Sequence, residues 1–231
     1  MLQKLPYHCI PESILAAIGF QILWGIAYLH HDHIIHRDIK PQNVLLNTNG
    51  QVKLSDFGIS KVLETTALAR TFIGSFKYMS PERVLHEAYT YSADIWSLGI
   101  ILIEAASQFP YEESNMSQLA LIMAIIDTSP TLPITSPTKE VFSNEFHNFI
   151  QLCVARDPTE RASAITLLEH PWLTNYHNII DLDDAIQRVY EWLPSIGIIN
   201  NNNITNDHNY NSSNINQDKQ EETMETNDTN I

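Results

Sequence analysis

Cysteine is nearly absent from this chain, and the shortage argues against a fold held together by disulfide bonds. Cys9 and Cys153 are the only two cysteines among 231 residues, and they lie far apart with no CxxC spacing. Disulfide scaffolds need several closely spaced cysteines, whereas thiols in the cytoplasm stay reduced. We therefore expect two reduced thiols in a cytoplasmic protein.

Positive charge is also scarce, with 13 Lys and Arg residues against 27 Asp and Glu residues and a formal net charge of −14. Nucleic acids and anionic membrane surfaces are bound by basic patches, so this balance argues against both kinds of partner. The segment 1–6 lacks the apolar run of a signal peptide. The apolar run 95–106 is too short to span a membrane and contains Glu104. The sequence predicts neither a nucleic-acid partner nor a membrane partner.

Two short motifs carry groups that are suited to catalysis. Residues 36–43 read His-Arg-Asp-Ile-Lys-Pro-Gln-Asn, and the triplet Asp-Phe-Gly follows at 56–58. The first motif can supply a proton acceptor and a metal ligand, and the second can supply a carboxylate that binds Mg²⁺. Phosphoryl transfer needs such groups, because its catalysis consists mostly of positioning and charge neutralisation.

Three further motifs follow in order, namely Ser-Pro-Glu at 80–82, Asp-Ile-Trp-Ser-Leu-Gly at 94–99, and Arg161. Each motif is weak evidence alone, but their order carries information. Together the five resemble the large, C-terminal lobe of the eukaryotic protein kinases over about residues 5–175.

The resemblance implies a mainly α fold with short β-hairpins at the catalytic loop and without the β-rich N-terminal lobe. It divides the chain into a C-terminal kinase lobe at 1–176, an amphipathic helix extension at 177–195 and a tail at 196–231. The tail is rich in Asn and acidic residues and poor in apolar ones. Such a segment cannot bury enough surface to offset its ordering entropy, so we expect it to be disordered.

Hydrophobic periodicity predicts the positions of the elements. A helix begins at 11–13 and continues through Leu29, and the apolar runs 44–46 and 52–54 flank Asn-Thr-Asn-Gly, a hairpin signal. The run 94–106 is apolar nearly all round, which is typical of a buried helix. Further helices are predicted at 117–127, 144–154 and 163–169, with a loop at 128–140.

The kinase resemblance implies roles for residues of the first two motifs. Asp38 would accept or orient the proton of the substrate hydroxyl, and Lys40 would contact the transferred phosphate. Asn43 and Asp56 would bind Mg²⁺, and Leu45 would lie beneath the adenine ring. ATP and Mg²⁺ are therefore the expected cofactors. A Lys at position 40 is typical of serine/threonine and dual-specificity kinases.

The segment 59–79 would be the activation loop, and 67–75 resembles that of the MAP kinase kinases, as do 78–83 and 141–146. The resemblance implies a MAP kinase as the protein substrate and an upstream kinase as the activator. Arg37, beside the catalytic base, would pair with a phosphorylated residue of this loop.

The phosphorylation pattern departs from that family, which carries two modified hydroxyl residues four positions apart. Thr71 matches the second position, but Ala67 occupies the first and Thr66 is adjacent to it. Ser75 stands where the family usually has Thr, and its hydroxyl could bond near the catalytic residues. Control by one site and control by a shifted pair both agree with this pattern.

Other motif residues resemble the scaffold of the family. Glu82 and Arg161 would form a buried ion pair, and Asp94 would hold the backbone of the catalytic loop. His36 would pack with the Phe57-Gly58 pair in an internal hydrophobic column. The histidines at 30, 31, 33 and 36 also suggest a metal site, but consecutive histidines in a turn do not readily converge on one ion.

The helix predicted at 181–193 has two interpretations. Its residues Ile186, Val189, Tyr190 and Leu193 share one face. MAP kinase kinases carry a docking segment for their activators at this place. The alternative is a helix that simply covers apolar surface on the lobe.

A glycine-rich phosphate-binding loop is missing, since the chain contains no GxGxxG, and Lys4 is the only Lys before the catalytic loop. We therefore expect these 231 residues alone to have negligible Mg-ATP affinity and turnover. Two hypotheses follow. The first is a protein kinase whose nucleotide-clamping lobe lies outside this sequence. The alternative is a catalytically silent module that uses the kinase lobe to bind partners.

Overall fold

The computed structural model describes residues 10–57, 76–107, 109–111 and 117–198. The chain divides into two units, 1–192 and 193–231. In the first unit the helices are α1 (Glu12–His31), α2 (Pro81–Val84), α3 (Ser92–Ala106), α4 (Gln118–Asp127), α5 (Asn144–Cys153), α6 (Ala164–Leu168) and α7 (Leu182–Trp192), and the strands are β1 (Val44–Leu46) and β2 (Val52–Leu54). Short 3₁₀ turns occupy Pro41–Asn43 and Phe76–Tyr78, and a π turn occupies Trp172–Tyr176. The second unit contains the 3₁₀ turn Leu193–Ile196. The predicted mainly α fold is confirmed.

Helix α1 is the longest helix that the structure describes, and most of its residues are buried. Its apolar positions Leu15, Ile18, Ile22 and Ile26 are each at most 3% exposed. The helix is long and apolar enough to cross a membrane by length and composition. Its burial against the other helices of the unit is that of a core helix in a globular domain.

Strands β1 and β2 form one antiparallel hairpin, with Val44 opposite Leu54 and Leu46 opposite Val52. The Asn47 side chain closes the turn, because its Oδ1 accepts hydrogen bonds from the Asn49 and Gln51 amides at 3.0 and 2.9 Å. Gly50 adopts a φ of +78°, which favours glycine. The predicted hairpin is therefore confirmed.

The predicted helices at 117–127, 144–154 and 163–169 are present, and four of their six ends are shifted by one residue. Ser117, Ser143 and Ser163 are N-caps whose hydroxyls accept the amides of the residues three positions on. Val154 and Glu169 are C-caps. The periodicity thus included cap residues in the helices, as capping serines border the apolar pattern directly.

Helices α3 and α5 approach closely at Gly99. A Cβ placed on Gly99 would lie 2.6 Å from Val154 Cγ1 and 2.8 Å from Cys153 Cβ. Next to this contact, the rings of Phe146 and Trp172 stack with centroids 4.4 Å apart. The close approach makes α3 the central helix from which the catalytic loop is held.

Candidate active site

Asp94 organises the catalytic loop from the first turn of α3. Its side chain is almost fully buried, and its Oδ2 accepts the His36 amide at 2.8 Å while Oδ1 accepts the Arg37 amide at 2.9 Å. His30 Nε2 lies 2.9 Å from the same Oδ2. Arg37 has a φ of +71°, a backbone conformation that persists only where the surroundings enforce it. The predicted contact between Asp94 and the loop backbone is present.

Asp38, Lys40 and Asn43 converge at the start of the hairpin. Lys40 Nζ lies 2.7 Å from Asp38 Oδ2, and Asn43 Nδ2 donates to the same oxygen at 3.0 Å and to the Asp38 carbonyl at 2.8 Å. Both contacts to the carboxylate use Oδ2. The arrangement leaves Oδ1 of Asp38 as the atom that can accept a proton from an incoming hydroxyl.

Asp56 is brought to the same end of the hairpin by the pairing of its strands. Ser55 donates its amide to the Asn43 carbonyl at 2.9 Å, and its hydroxyl donates to Asp56 Oδ2 at 3.3 Å. Asp56 is solvent-exposed and has a φ of +62°. The two residues predicted to bind Mg²⁺ therefore flank one pair of strand ends.

The donor atoms at this end suit a hard cation. Both hydrogen bonds of the Asn43 side chain use Nδ2, so its amide oxygen is the atom that remains for a metal. Asp56 adds a carboxylate that solvent can reach. Carboxylate and amide oxygens are the ligands that Mg²⁺ prefers. These residues fit the ion that the sequence predicts.

Leu45 lies on the outer face of the hairpin. It is 47% exposed, whereas its neighbours Val44 and Leu46 are buried. Its partner across the strands is Lys53, which is also exposed. An exposed apolar side chain next to Asn43 agrees with the predicted position beneath a base, and the role itself stays a prediction.

Arg37 carries a buried guanidinium nitrogen that lacks a hydrogen-bond partner among the described residues, namely Nε. Its guanidinium carbon lies 5.9 Å from the centre of the Tyr89 ring, and that of Arg83 lies 5.2 Å from the same ring. Arg83 also donates a hydrogen bond to the Arg37 carbonyl. The cluster offers positive charge beside the catalytic loop.

The predicted ion pair between Glu82 and Arg161 is present and buried. Arg161 donates two parallel hydrogen bonds, at 2.7 and 2.8 Å, to the two oxygens of Glu82. A third bond, from Nε to the Ala155 carbonyl at 2.7 Å, completes the fork. Burial raises the pKa of Glu82, but the hydrogen bonds and the charge of Arg161, together with smaller hydrogen-bond contributions, outweigh burial and leave the pKa below its usual value.

His36 and Phe57 contact each other through their aromatic rings. His36 is fully buried, and burial lowers the pKa of its ring below the usual value. Phe57 meets the His36 ring edge-on with centroids 6.4 Å apart, but it is 54% exposed. Phe57 is the last described residue before the segment 58–75, so its place in an internal hydrophobic column stays a prediction.

Several predicted residues lie outside the described part of the chain. They are Gly58, Thr66, Thr71 and Ser75, so their roles stay predictions. The histidines of the predicted cluster have different surroundings. His30 bonds to Asp94, His33 Nδ1 lies 3.4 Å from the Tyr91 hydroxyl, and His36 is a core residue.

Helix α7 packs against the unit through the face that the sequence predicted. Val189 is fully buried, as is Ala185, while Ile186 and Tyr190 are half-buried. A side chain that is already buried is not available to bind another protein. The contacts therefore favour the interpretation of α7 as a covering helix over a docking face built on Val189.

Sequence reasoning missed two residues that support the hairpin, Gln21 and Gly50. Gln21 is 4% exposed and bonds to the hairpin turn and to α7. A single polar residue within the apolar face of α1 was the available signal. The hairpin signal Asn-Thr-Asn-Gly includes Gly50, but the contact of Gly50 with α7 was missed because the two lie far apart in the sequence.

Comparisons with known proteins agree with this geometry. The profile of a family described as "Protein kinase domain" matches residues 2–173. "Mitogen-activated protein kinase kinase 2" of Arabidopsis thaliana is 48% identical over 176 residues, which are 72% of this chain and 47% of that protein. "Mitogen-activated protein kinase kinase SIPKK" of Nicotiana tabacum is 47% identical over 178 residues, 75% of this chain and 50% of that protein. The chain thus spans about half the length of these curated relatives.

Proposed function

The chain belongs to the protein kinase family, and from this premise we propose that it carries the catalytic lobe of a serine/threonine or dual-specificity kinase of the MAP kinase kinase type. The proposed reaction transfers the γ-phosphate of ATP to a hydroxyl group of a protein substrate. The observation that carries the proposal is the convergence of Asp38, Lys40 and Asn43 beside the hairpin end that holds Asp56. The names of the relatives support a MAP kinase as substrate.

Asp38 acts on the substrate hydroxyl in this proposal. Lys40 and Asn43 fix one carboxylate oxygen, which orients the other toward the incoming hydroxyl group. A positioned acid–base group contributes about 10²–10⁴-fold to a rate. Lys40 also lies where its ammonium group can neutralise charge on the transferred phosphoryl group.

Asn43 and Asp56 are the residues that would hold Mg²⁺. When bound, Mg²⁺ neutralises charge on the nucleotide phosphates. The chain's own contribution is to keep the Asn43 amide oxygen and the Asp56 carboxylate at one end of a hydrogen-bonded hairpin. Leu45, on the exposed face of β1, supplies apolar surface for the adenine ring.

Arg37 links the proposed activity to phosphorylation by an upstream kinase. Its buried Nε lacks a hydrogen-bond partner within the described ranges, and such a group is costly unless an anion or acceptor meets it. A phosphate on Thr71, or on Thr66, would supply that acceptor. Intact-protein mass spectrometry after treatment with an activating kinase tests this, and a Thr71→Ala variant that is still activated would contradict Thr71 as the site.

We also propose a cytoplasmic location. The composition supports it, and the described cysteine, Cys153, is fully buried with a thiol pKa that burial raises. Such a thiol is unreactive toward oxidants. Fractionation of cells that express a tagged chain tests the location, and recovery in a secreted fraction would contradict it.

The decisive test of the kinase function is Asp38→Asn in the longest product that contains this chain. The amide cannot accept the hydroxyl proton, so we expect phosphorylation of a MAP kinase to fall by about 10²-fold or more. Because Asp38 is partly exposed, the melting temperature should change little. Phosphate transfer is measured with labelled ATP.

Asp32→Asn is the matched control, because Asp32 is an acidic residue of the preceding turn that touches none of the site residues. It should leave transfer unchanged. Equal activity of Asp38→Asn and wild type would refute the role of Asp38. Absence of transfer in the wild type as well as in Asp38→Asn would favour a silent interaction module. Such a module, however, would not need Asp38, Lys40 and Asn43 to converge.

A further inference from the structure

Gln21 is a polar side chain in the middle of α1, a long helix whose residues are mostly buried. It is 4% exposed, and its neighbours on the same face of α1 are apolar core residues. A buried amide destabilises a core unless its donors and acceptor are bonded. Burial of the Gln21 amide therefore requires hydrogen-bond partners, which the apolar face of α1 does not provide.

The amide of Gln21 joins three elements that are distant in the sequence. Its Oε1 accepts the Val52 amide of β2 at 2.8 Å. Its Nε2 donates to the Gly50 carbonyl at 3.2 Å and to the Ala185 carbonyl of α7 at 3.4 Å. These partners fix the orientation of the Gln21 amide. If the amide were flipped, its NH₂ group would face the Val52 N–H and its oxygen would face the two carbonyl oxygens. Gln21 thus ties α1 to the hairpin turn and to α7 at once.

Gly50 brings the backbone of α7 against the same turn. A Cβ on Gly50 would lie 2.4 Å from the Ile186 carbonyl oxygen and 2.6 Å from the Tyr190 nitrogen. Since both are backbone atoms, no rotation of a side chain could relieve the contact. The turn end of the hairpin is therefore clamped between Gln21 and α7.

The opposite end of the hairpin carries Asn43 and Asp56. Strands of three residues separate the two ends, which is about 10 Å at 3.3 Å per residue. Asp38 has a different support, because Asp94 of α3 holds the loop that precedes it. The proposed proton acceptor and the proposed cation ligands are thus supported by separate parts of the molecule.

We propose that Gln21 is a positioning residue, which together with Gly50 and α7 sets the placement of Asn43 and Asp56 through the hairpin. The inference rests on the proposed function for the role of those two residues as cation ligands. Gln21 touches neither substrate nor cation in this proposal. It acts through the backbone of β2, and separation of α7 from the turn releases the cation-binding end.

The test is hydrogen exchange on the 231-residue chain with Gln21 replaced by Met, which keeps the shape and removes the polar contacts. The informative amide is that of Ser55, which bonds to the Asn43 carbonyl at the far end of the hairpin. We expect its exchange to become about tenfold faster, while buried amides of α3 change less than about twofold. The amide resonances of Asn43 and Asp56 should shift in the same variant.

Ile100→Val is the control for stability, because it removes one methylene from a fully buried side chain of α3, outside the hairpin. In this variant the ratio of the Ser55 exchange rate to the exchange rates of the buried α3 amides should keep its wild-type value. Uniform acceleration in Gln21→Met, or an unchanged Ser55, would overturn the positioning role and leave Gln21 as an ordinary core contact.

A second variant approaches the clamp from the other side. Gly50→Ala should displace α7 and accelerate Ser55 exchange, whereas Gly197→Ala should not, since Gly197 shares a positive φ of +72° but has open space at its Cβ. An unchanged Ser55 in Gly50→Ala would also refute the clamp. None of these measurements uses nucleotide. If Asp38→Asn leaves phosphate transfer intact, therefore, the proposed function fails while the exchange result stands.

Discussion

At the scale of the residue, Arg161 shows how this lobe tolerates charge in its core. The guanidinium is buried, satisfies both oxygens of Glu82, donates to the Ala155 carbonyl and lies 4.9 Å from the centre of the Trp96 ring. Each buried charge is therefore compensated only while its partner is present. Removing one partner leaves the other desolvated and uncompensated.

We expect Arg161→Met to lower the free energy of unfolding by about 3–5 kcal/mol, because Glu82 is left as an unpaired buried charge. The double variant with Glu82→Met should recover much of that loss, since two apolar side chains replace the pair. Denaturant unfolding of the wild type, both single variants and the double variant measures the coupling. Additive losses would show that the pair does not act as a unit.

Resemblance to a known family predicted the contacts between motif residues of this lobe. Contacts of residues outside those motifs were missed. Glu82 with Arg161, and Asp94 with the loop, could be found because each belongs to a recognisable motif. Gln21 belongs to no motif. Its partners are backbone atoms of Val52, Gly50 and Ala185, which any residue type would provide, so no pattern of side chains could reveal the contact.

At the scale of the element, Gly19 of α1 and Gly99 of α3 have different surroundings. A Cβ on Gly99 would meet Cys153 and Val154 of the α5 region at less than 3 Å. A Cβ on Gly19 would meet Leu102 and Trp172 side chains at 3.6 Å or more, which is ordinary contact. Helix propensity alone would favour alanine at both positions.

Opposite signs are therefore expected for two identical substitutions. Gly99→Ala should destabilise the lobe by about 1–3 kcal/mol through overpacking of α3 on α5. Gly19→Ala should be neutral or stabilise it by up to about 1 kcal/mol, as the helix gains propensity without a clash. Thermal unfolding monitored by circular dichroism distinguishes the two, and a loss of similar size in both would contradict the packing argument.

The sequence could place these helices but not their separations. The apolar pattern of 94–106 predicts burial all round, and the structure has it. The pattern says nothing of which neighbour lies at Gly99, since that depends on how α5 is inclined against α3. Helix ends were predicted to within about one residue because serine caps border them.

At the scale of the whole molecule, Glu12 joins residues from both ends of the lobe. The carboxylate at the start of α1 accepts the Ser143 amide at 2.9 Å and its hydroxyl, the Trp172 indole N–H at 3.0 Å, and lies 3.2 Å from His177 Nε2. Burial raises the pKa of Glu12, but the hydrogen bonds of His177, Ser143 and Trp172 outweigh it and leave the pKa below its usual value. The charged carboxylate is thus the form that the fold binds.

Acid should weaken the lobe through this group. A carboxyl whose folded pKa lies below the unfolded value of 4.5 contributes stability above pH 4.5, and the contribution is lost as the pH falls through the folded pKa. Glu12→Gln should lower the free energy of unfolding by about 1.5–3 kcal/mol at pH 7 and flatten its decline below pH 4.5. Melting curves between pH 7 and pH 3 measure both effects.

Glu160→Gln is the matched control, because Glu160 is exposed. It should keep the wild-type stability and the wild-type decline in acid. A decline in Glu12→Gln as steep as that of the wild type would assign the acid sensitivity to other carboxylates.

The reach of Glu12 along the chain has a consequence for synthesis on the ribosome. Its first partner, Ser143, is 131 residues later, and at about 5–20 residues per second that interval lasts roughly 7–26 seconds. Throughout that time α1 has emerged without α6 and α7, two of the helices that pack on it. We therefore expect the nascent chain to expose apolar surface of α1 until α6 and α7 have been made.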